Sequence, residues 1–250
     1  MPGSRDIGYM SVMQPPWPRE HGAYAQLLLP LAAALPLAGA SLANLAYATG
    51  AVATFMASEP ARRRLGERGP RAVQDHPALH AWLALWLALA VASATFASLA
   101  QPPTRALGGL GLAVVLSALA ATVTGHAKSL PGEIAIGSAL ASPSLWMAGP
   151  HALAAWWAWS LGFAAMTGAA RAVKPRAKRY ESVVATLAVV ATVGSGWLDP
   201  LTWCALPMAA VAGFVVAFRP SAKHLRKIGW GFAAASTVCA GSLVALGARS

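Results

Sequence analysis

The residues best suited to chemistry lie where the first long apolar run begins. Arg19, Glu20 and His21 are adjacent, and Gly22 leaves room for a backbone or ligand to come close. A carboxylate beside an imidazole is a candidate acid–base pair, because histidine exchanges protons near neutral pH. We therefore predict Glu20 and His21 as catalytic residues and Arg19 as a ligand contact. An interfacial anchor, in which these polar groups cap a helix, is the alternative.

Two basic loops provide a second set of candidates. The first contains Glu59, Arg62 and Arg63, and the second contains Arg171 and Lys174. Arginine offers paired donors to phosphate oxygens, so the two loops are predicted to bind a diphosphate or another anionic head group. The alternative is that these charges only orient the chain at an anionic membrane leaflet.

A short turn between two apolar segments contains the single cation Lys128. Glu133 follows at the start of the next segment, where a carboxylate favours the positive end of a helix. We predict Lys128 and Glu133 as ligand contacts. For Glu133, simple complementarity to the helix dipole is the competing interpretation.

The sequence gives little support for a metal site. His76 and His80 are four residues apart, which would place them on one helical face, and Asp75 is adjacent. Pro77 weakens that pairing, since it favours a helix that begins after His76. We predict no metal site and assign no cofactor.

Composition identifies a membrane protein. The chain has 250 residues, is 57% hydrophobic and has a mean hydropathy of +0.54. Its formal charge of +11 is concentrated in loops, so we attribute it to the membrane surface and expect no nucleic-acid partner. Cys204 and Cys239 both lie in apolar runs and are read as small core residues.

Apolar runs predict an all-α, polytopic membrane bundle with nine transmembrane helices. The predicted segments are 23–40, 42–58, 78–100, 106–125, 132–149, 151–170, 182–197, 200–218 and 229–247. Residues 1–22 are predicted to form a cytoplasmic tail and residues 23–250 a single transmembrane domain.

The basic residues predict the orientation of these segments. With a cytoplasmic N-terminus and nine crossings, 17 of the 19 Lys and Arg residues lie on the cytoplasmic side. Only Arg105 and Arg249 lie outside, so the positive-inside rule predicts an external C-terminus in the cell (inner) membrane. No ionisable residue lies at the predicted mid-membrane depth, which argues against an ion-coupled transporter.

The opening sequence resembles a known family. Pro18 to Tyr24 reads PREHGAY and runs into an apolar stretch that contains Pro30. This string is similar to the opening signature of the YwiC-like integral membrane proteins, a family of unassigned activity.

A more distant resemblance is to the UbiA superfamily of intramembrane prenyltransferases. The predicted helix number and orientation are the same, and Lys128 to Gly137, KSLPGEIAIG, looks like the Lys-bearing turn and fifth helix of that superfamily. The resemblance implies a UbiA-like arrangement and a diphosphate contact for Lys128. The superfamily's Asp-rich Mg²⁺ motifs are missing, because the corresponding sequences are MASEPAR from Met56 and GAARAVK from Gly168.

Two functions remain open from the sequence. In the first, a prenyltransferase-like bundle binds a lipidic or anionic amphipathic ligand, such as a prenyl or quinone-like molecule, at its cytoplasmic mouth. In the second, the chain is a non-catalytic membrane carrier or accessory protein. Membrane lipid is an expected partner in both, and whether the chain is an enzyme is left undecided.

Overall fold

The computed structural model describes residues 16–18, 21–66, 69, 77–175 and 177–249, with only the backbone of His21. The helices are α1 (His21–Ala38), α2 (Leu42–Arg64), α3 (Leu79–Ala100), α4 (Arg105–Val123), α5 (Leu130–Ala141), α6 (Pro143–Met147), α7 (Ala152–Ala172), α8 (Arg179–Gly196), α9 (Leu206–Phe218) and α10 (Leu225–Gly247). Short 3₁₀ turns at Gly149–His151, Pro200–Ala205 and Ala222–His224 precede α7, α9 and α10. No strand occurs within the described ranges.

The predicted all-α class is confirmed, and each of the nine predicted segments contains one long helix in the described chain. Helix α2 is longer than predicted, because it continues through Pro60 to Arg64 instead of stopping at 58. The fifth segment is broken, because α5 ends at Ala141 and α6 starts at Pro143. A proline has no N–H to continue the preceding helix, which explains the break.

Local caps fix where several helices begin. The Ser41 hydroxyl accepts the backbone N–H of Asn44 at 3.1 Å, which caps α2. The Asn44 amide also donates to the carbonyls of Ala38 and Gly39, at 3.2 and 2.9 Å. These bonds satisfy carbonyls that the end of α1 leaves open. They hold the turn between α1 and α2.

Helix α7 lies at the centre of the bundle. It contacts α1, α5, α6, α8, α9 and α10. Its Trp159 and Phe163 side chains are fully buried and their rings are 5.5 Å apart. Because α7 is surrounded by other helices, the side chain that it presents at its last turn, Arg171, reaches several of them.

Helices α3 and α4 lie at the periphery. Helix α3 packs mainly on α2, and α4 packs on α5 and α6. Most of their residues are exposed even though both helices are strongly apolar. Such surfaces are stable in hydrocarbon and unfavourable in water.

Four described helical stretches have the length and hydropathy needed to cross a membrane. They are Leu79–Ala100, Arg105–Val123, Pro200–Phe218 and Ala222–Gly247. The stretch Gly22–Ala38 is apolar but shorter. The bundle is therefore that of a multi-pass membrane protein, with fewer strongly apolar spans than the nine crossings predicted from the sequence.

Candidate functional site

One end of the bundle concentrates the polar interactions. We call it the charged end, where α2 and α7 finish and where α5 and α8 begin. At its centre, Arg171 donates from Nε to Glu181 Oε1 at 2.9 Å. Its Nη1 lies 3.0 Å from Glu133 Oε1 and donates to the Lys128 carbonyl at 2.9 Å. Lys128, Glu133, Arg171 and Glu181 form what we call the Arg171 junction.

The ends of two helices place the carboxylates of this junction. Glu181 lies in the first turn of α8, and its Oε2 accepts the backbone N–H of Lys178 at 3.0 Å. Glu133 lies in the first turn of α5, which Ser129 caps by accepting the Gly132 N–H at 3.2 Å. Carboxylates in these positions also complement the helix dipoles. Each helix start therefore presents one acid to Arg171.

Glycines allow the backbones around the junction to approach closely. A Cβ at Gly132 would collide with the His126 carbonyl oxygen. A Cβ at Gly168, on α7, would lie 3.0 Å from the backbone nitrogen of Ala185 on α8. A larger side chain at Gly168 would push α7 and α8 apart, and one at Gly132 would displace the turn that precedes α5.

Electrostatics favour the charged forms of Arg171 and Glu181. The hydrogen bond with Glu181 is the main cause of the raised pKa of Arg171; burial opposes it, and Glu133 adds to it. Burial alone would raise the pKa of Glu181, but the hydrogen bonds from Arg171 and the Lys178 N–H, with the Arg171 charge, lower it overall. Both groups are therefore charged at neutral pH.

An open groove of about 520 Å³ lies beside the junction, between the start of α5 and the start of α8. Its polar lining consists of His126, Ser129 and Tyr180. Its apolar lining consists of Leu130, Pro131, Ile134 and Val184. The volume is in the range of small-molecule sites in proteins.

A second ion pair lies near the C-terminal end of α2. Arg63 Nε donates to Glu59 Oε1 at 2.9 Å, and the two residues are 5% and 0% exposed. Arg62, in the same turn, is half-buried. Among the described residues, Arg171 makes its ion pairs with Glu133 and Glu181, and Arg63 makes its ion pair with Glu59.

Comparison with known proteins assigns the family. A family model described as YwiC-like protein matches residues 17–148, slightly more than half of the chain. The chain belongs to the YwiC-like protein family. No curated protein and no solved structure matches it.

The match confirms the YwiC-like resemblance seen in the opening sequence. It extends from the residues before α1 to the end of α6, so it contains Lys128 and Glu133. Arg171 and Glu181 lie beyond it. In this YwiC-like protein, the Arg171 junction thus joins the matched region to α7 and α8.

The structure of this YwiC-like protein brings three predicted ligand contacts together. Lys128 and Glu133 come from one stretch and Arg171 from another, and the three meet at the junction. Lys128 contributes its carbonyl, however, and its side chain is exposed. Lys174 is also exposed, one turn beyond Arg171. The ion pairs of Arg171 connect the starts of α5 and α8, whereas Arg63 is paired within α2.

The predicted catalytic pair lies at the edge of what the structure describes. Arg19 and Glu20 are outside the described residues, as is the side chain of His21, whose backbone begins α1. One turn further, the Tyr24 hydroxyl donates to the Pro18 carbonyl at 3.1 Å. The Tyr24 ring meets Phe55 of α2 edge-on, with centroids 5.0 Å apart. The start of α1 therefore packs against α2, and the acid–base role stays a prediction.

The role of Glu181 as a partner of Arg171, and the groove beside it, were not predicted from the sequence. The signal for Glu181 is its place three residues after Lys178, the spacing of a glutamate that caps a helix start. Within the described ranges, no group of three or more His, Cys, Asp or Glu residues is arranged to hold a metal. Asp75 and His76 lie outside those ranges.

Proposed function

We propose that this YwiC-like membrane protein binds an anionic amphipathic lipid at its charged end. The observation that carries the proposal is that the Arg171 junction holds Lys128 next to the loop between α7 and α8. That loop contributes the exposed cations Lys174 and Lys178. Basic residues at a membrane surface attract anionic head groups, and the apolar bundle beside them suits hydrocarbon chains.

The proposal includes the orientation predicted from the basic residues. The charged end faces the cytoplasm, the N-terminus is cytoplasmic and the C-terminus is outside the cell (inner) membrane. The excess of Lys and Arg in the loops at that end supports this orientation.

Mass spectrometry of lipids that co-purify with the full chain tests the proposal. We expect an enriched anionic or prenyl-type lipid, and we expect Lys128→Gln combined with Lys178→Gln to lower its amount. The matched control is Arg105→Gln, which removes a charge at the first residue of α4, at the opposite end of the bundle. Equal lipid retention in all three proteins would contradict the proposal.

Catalysis on that lipid is a further part of the same hypothesis. Glu20 and His21 are the proposed acid–base pair, with Arg19, Arg62 and Lys128 near the ligand. A UbiA-like arrangement would place a prenyl or quinone-like molecule between them. If so, His21→Ala abolishes turnover of the bound lipid and leaves membrane insertion intact. If the segment is only an anchor, Trp17→Ala impairs membrane insertion more than His21→Ala does.

Magnesium-dependent ionisation of a diphosphate does not fit the described residues. Hard cations require several oxygen ligands. Glu59 is paired with Arg63, and Glu133 and Glu181 are both paired with Arg171. We therefore include no metal-dependent step.

A non-catalytic carrier or accessory protein is the second candidate function. The observation that favours it is the pairing of Arg63 and Arg171 with neighbouring carboxylates, because those charges stabilise the bundle itself. In a transfer assay, the purified protein would move bound lipid between vesicles. Chemically unchanged lipid after transfer would support this alternative.

A further inference from the structure

The groove beside the Arg171 junction has a polar end and an apolar end. Helices α5 and α8 both begin at the charged end, where Glu133 and Glu181 bind the same guanidinium. Ile134 and Val184 lie one helical turn or less from these acids and line the groove. His126 and Ser129 precede the apolar residues of the α5 wall, and Tyr180 precedes Val184 on α8, so the polar lining is the part nearer the charged end.

Exposed cations flank the polar end of the groove. Lys128 precedes its α5 wall, and Lys178 and Arg179 precede its α8 wall. The Lys178 ammonium lies 5.9 Å from the centre of the Tyr180 ring, which keeps this cation beside the groove. Both carboxylates in this region are engaged by Arg171, so the surroundings of the groove carry a net positive charge.

We propose that this groove is a binding site for an anionic phospholipid of the surrounding bilayer. Its phosphate lies beside Lys128, Lys178 and Tyr180, and one acyl chain follows Leu130, Ile134 and Val184. The inference rests on the proposed function and specifies where the lipid binds. The apolar lining distinguishes the lipid from a free phosphate, because inorganic phosphate gains nothing from Ile134 or Val184.

The Arg171 junction positions the two walls of this site. Arg171 binds the α5 wall through Glu133 and the Lys128 carbonyl, and the α8 wall through Glu181. The separation of the walls is therefore set by a residue that does not line the groove. The phospholipid meets a preformed cleft, which reduces the entropy lost on binding.

A substitution that fills the groove tests the site. The full-length protein is incubated with vesicles of phosphatidylglycerol or phosphatidylcholine with identical acyl chains, and bound lipid is counted by native mass spectrometry. We expect Val184→Trp to reduce retained phosphatidylglycerol by roughly tenfold, which corresponds to losing about two buried methylene contacts. Ile134→Trp, from the opposite wall, has the same effect.

The matched control is Leu187→Trp, an exposed position about one turn further along α8 and outside the groove lining. This variant retains phosphatidylglycerol at the wild-type level. The melting temperature of each groove variant is measured as a control for folding. If it is close to that of the wild-type protein, the loss of lipid is not due to unfolding. Equal retention of phosphatidylglycerol by Val184→Trp, Ile134→Trp and Leu187→Trp would overturn the site.

Two further results separate this site from the proposed function. If Lys128→Gln with Lys178→Gln lowers lipid binding and both groove variants do not, the lipid binds elsewhere at the charged end and the groove site is wrong. If the wild-type protein shows no preference for phosphatidylglycerol over phosphatidylcholine, the groove proposal fails, whereas the proposed function fails if no anionic or prenyl-type lipid co-purifies. Displacement of the bound lipid by millimolar inorganic phosphate would identify a phosphate site and overturn the groove proposal.

Discussion

Replacing Arg171 with methionine is the most direct test of the charged end. Methionine keeps much of the length of the side chain and removes all of its donors. Glu181, whose side chain is 6% exposed, then keeps the Lys178 N–H as its one hydrogen-bond donor among the described residues. Glu133, at 35% exposed, is left to solvent.

The expected cost follows from the partners that are lost. The hydrogen-bonded ion pair with Glu181 contributes about 1.5–3 kcal/mol and the bond to the Lys128 carbonyl about 1 kcal/mol. The pair with Glu133 contributes at most about 1 kcal/mol because solvent screens it. We therefore expect Arg171→Met to lower the free energy of unfolding by about 3 kcal/mol, or roughly 6–12 °C in melting temperature.

Thermal unfolding in detergent can be followed with a thiol-reactive fluorophore. Cys204 and Cys239 are free and buried, at 3% and 0% exposed, so they react only when the bundle opens. A double-mutant cycle with Glu181→Gln isolates the pair, and we expect a coupling energy of about 1.5–3 kcal/mol. Arg105→Met, an exposed arginine at the opposite end of the bundle, serves as the control.

If the melting temperature of Arg171→Met equals that of the wild-type protein within error, the predicted stabilising role of Arg171 is refuted. It is also refuted if the effects of Arg171→Met and Glu181→Gln are additive, because the two side chains would then not interact. A shift of similar size in Arg105→Met would indicate a general charge effect and contradict a specific junction.

Three other predictions concern pH, backbone packing and orientation. The lowered pKa of Glu181 stabilises the folded state above the ordinary glutamate pKa of about 4.3, so the melting temperature falls as pH drops from there through the folded pKa. Glu181→Gln flattens this fall, and an unchanged slope would contradict the prediction. Gly132→Ala should destabilise the fold by about 1–3 kcal/mol, because its Cβ meets the His126 carbonyl. Gly194→Ala, which meets nothing within 4 Å, should be neutral or stabilising in the same melting assay. A C-terminal reporter should be active only outside the cytoplasm, and cytoplasmic activity would refute an odd number of crossings.

The sequence alone predicted the helical bundle and the family. Runs of apolar residues, and the prolines and glycines between them, are local features of the sequence. They are therefore enough to predict the long helices of the described chain. The signature from Pro18 to Tyr24 is likewise contiguous, and the family match confirms it. The Glu59–Arg63 pair was also accessible in principle, since residues four apart meet on a helix.

Tertiary structure decided what the charged residues do. The sequence predicted Arg171 as a phosphate ligand, which stays a prediction, and the structure adds the partners that its guanidinium binds within the chain. Here the starts of α5 and α8 bring Glu133 and Glu181 to it. The carbonyl of Lys128 also binds Arg171, a contact that its backbone makes independently of the ammonium group. These outcomes depend on distances between residues far apart in the chain, and no local pattern in the sequence encodes such distances.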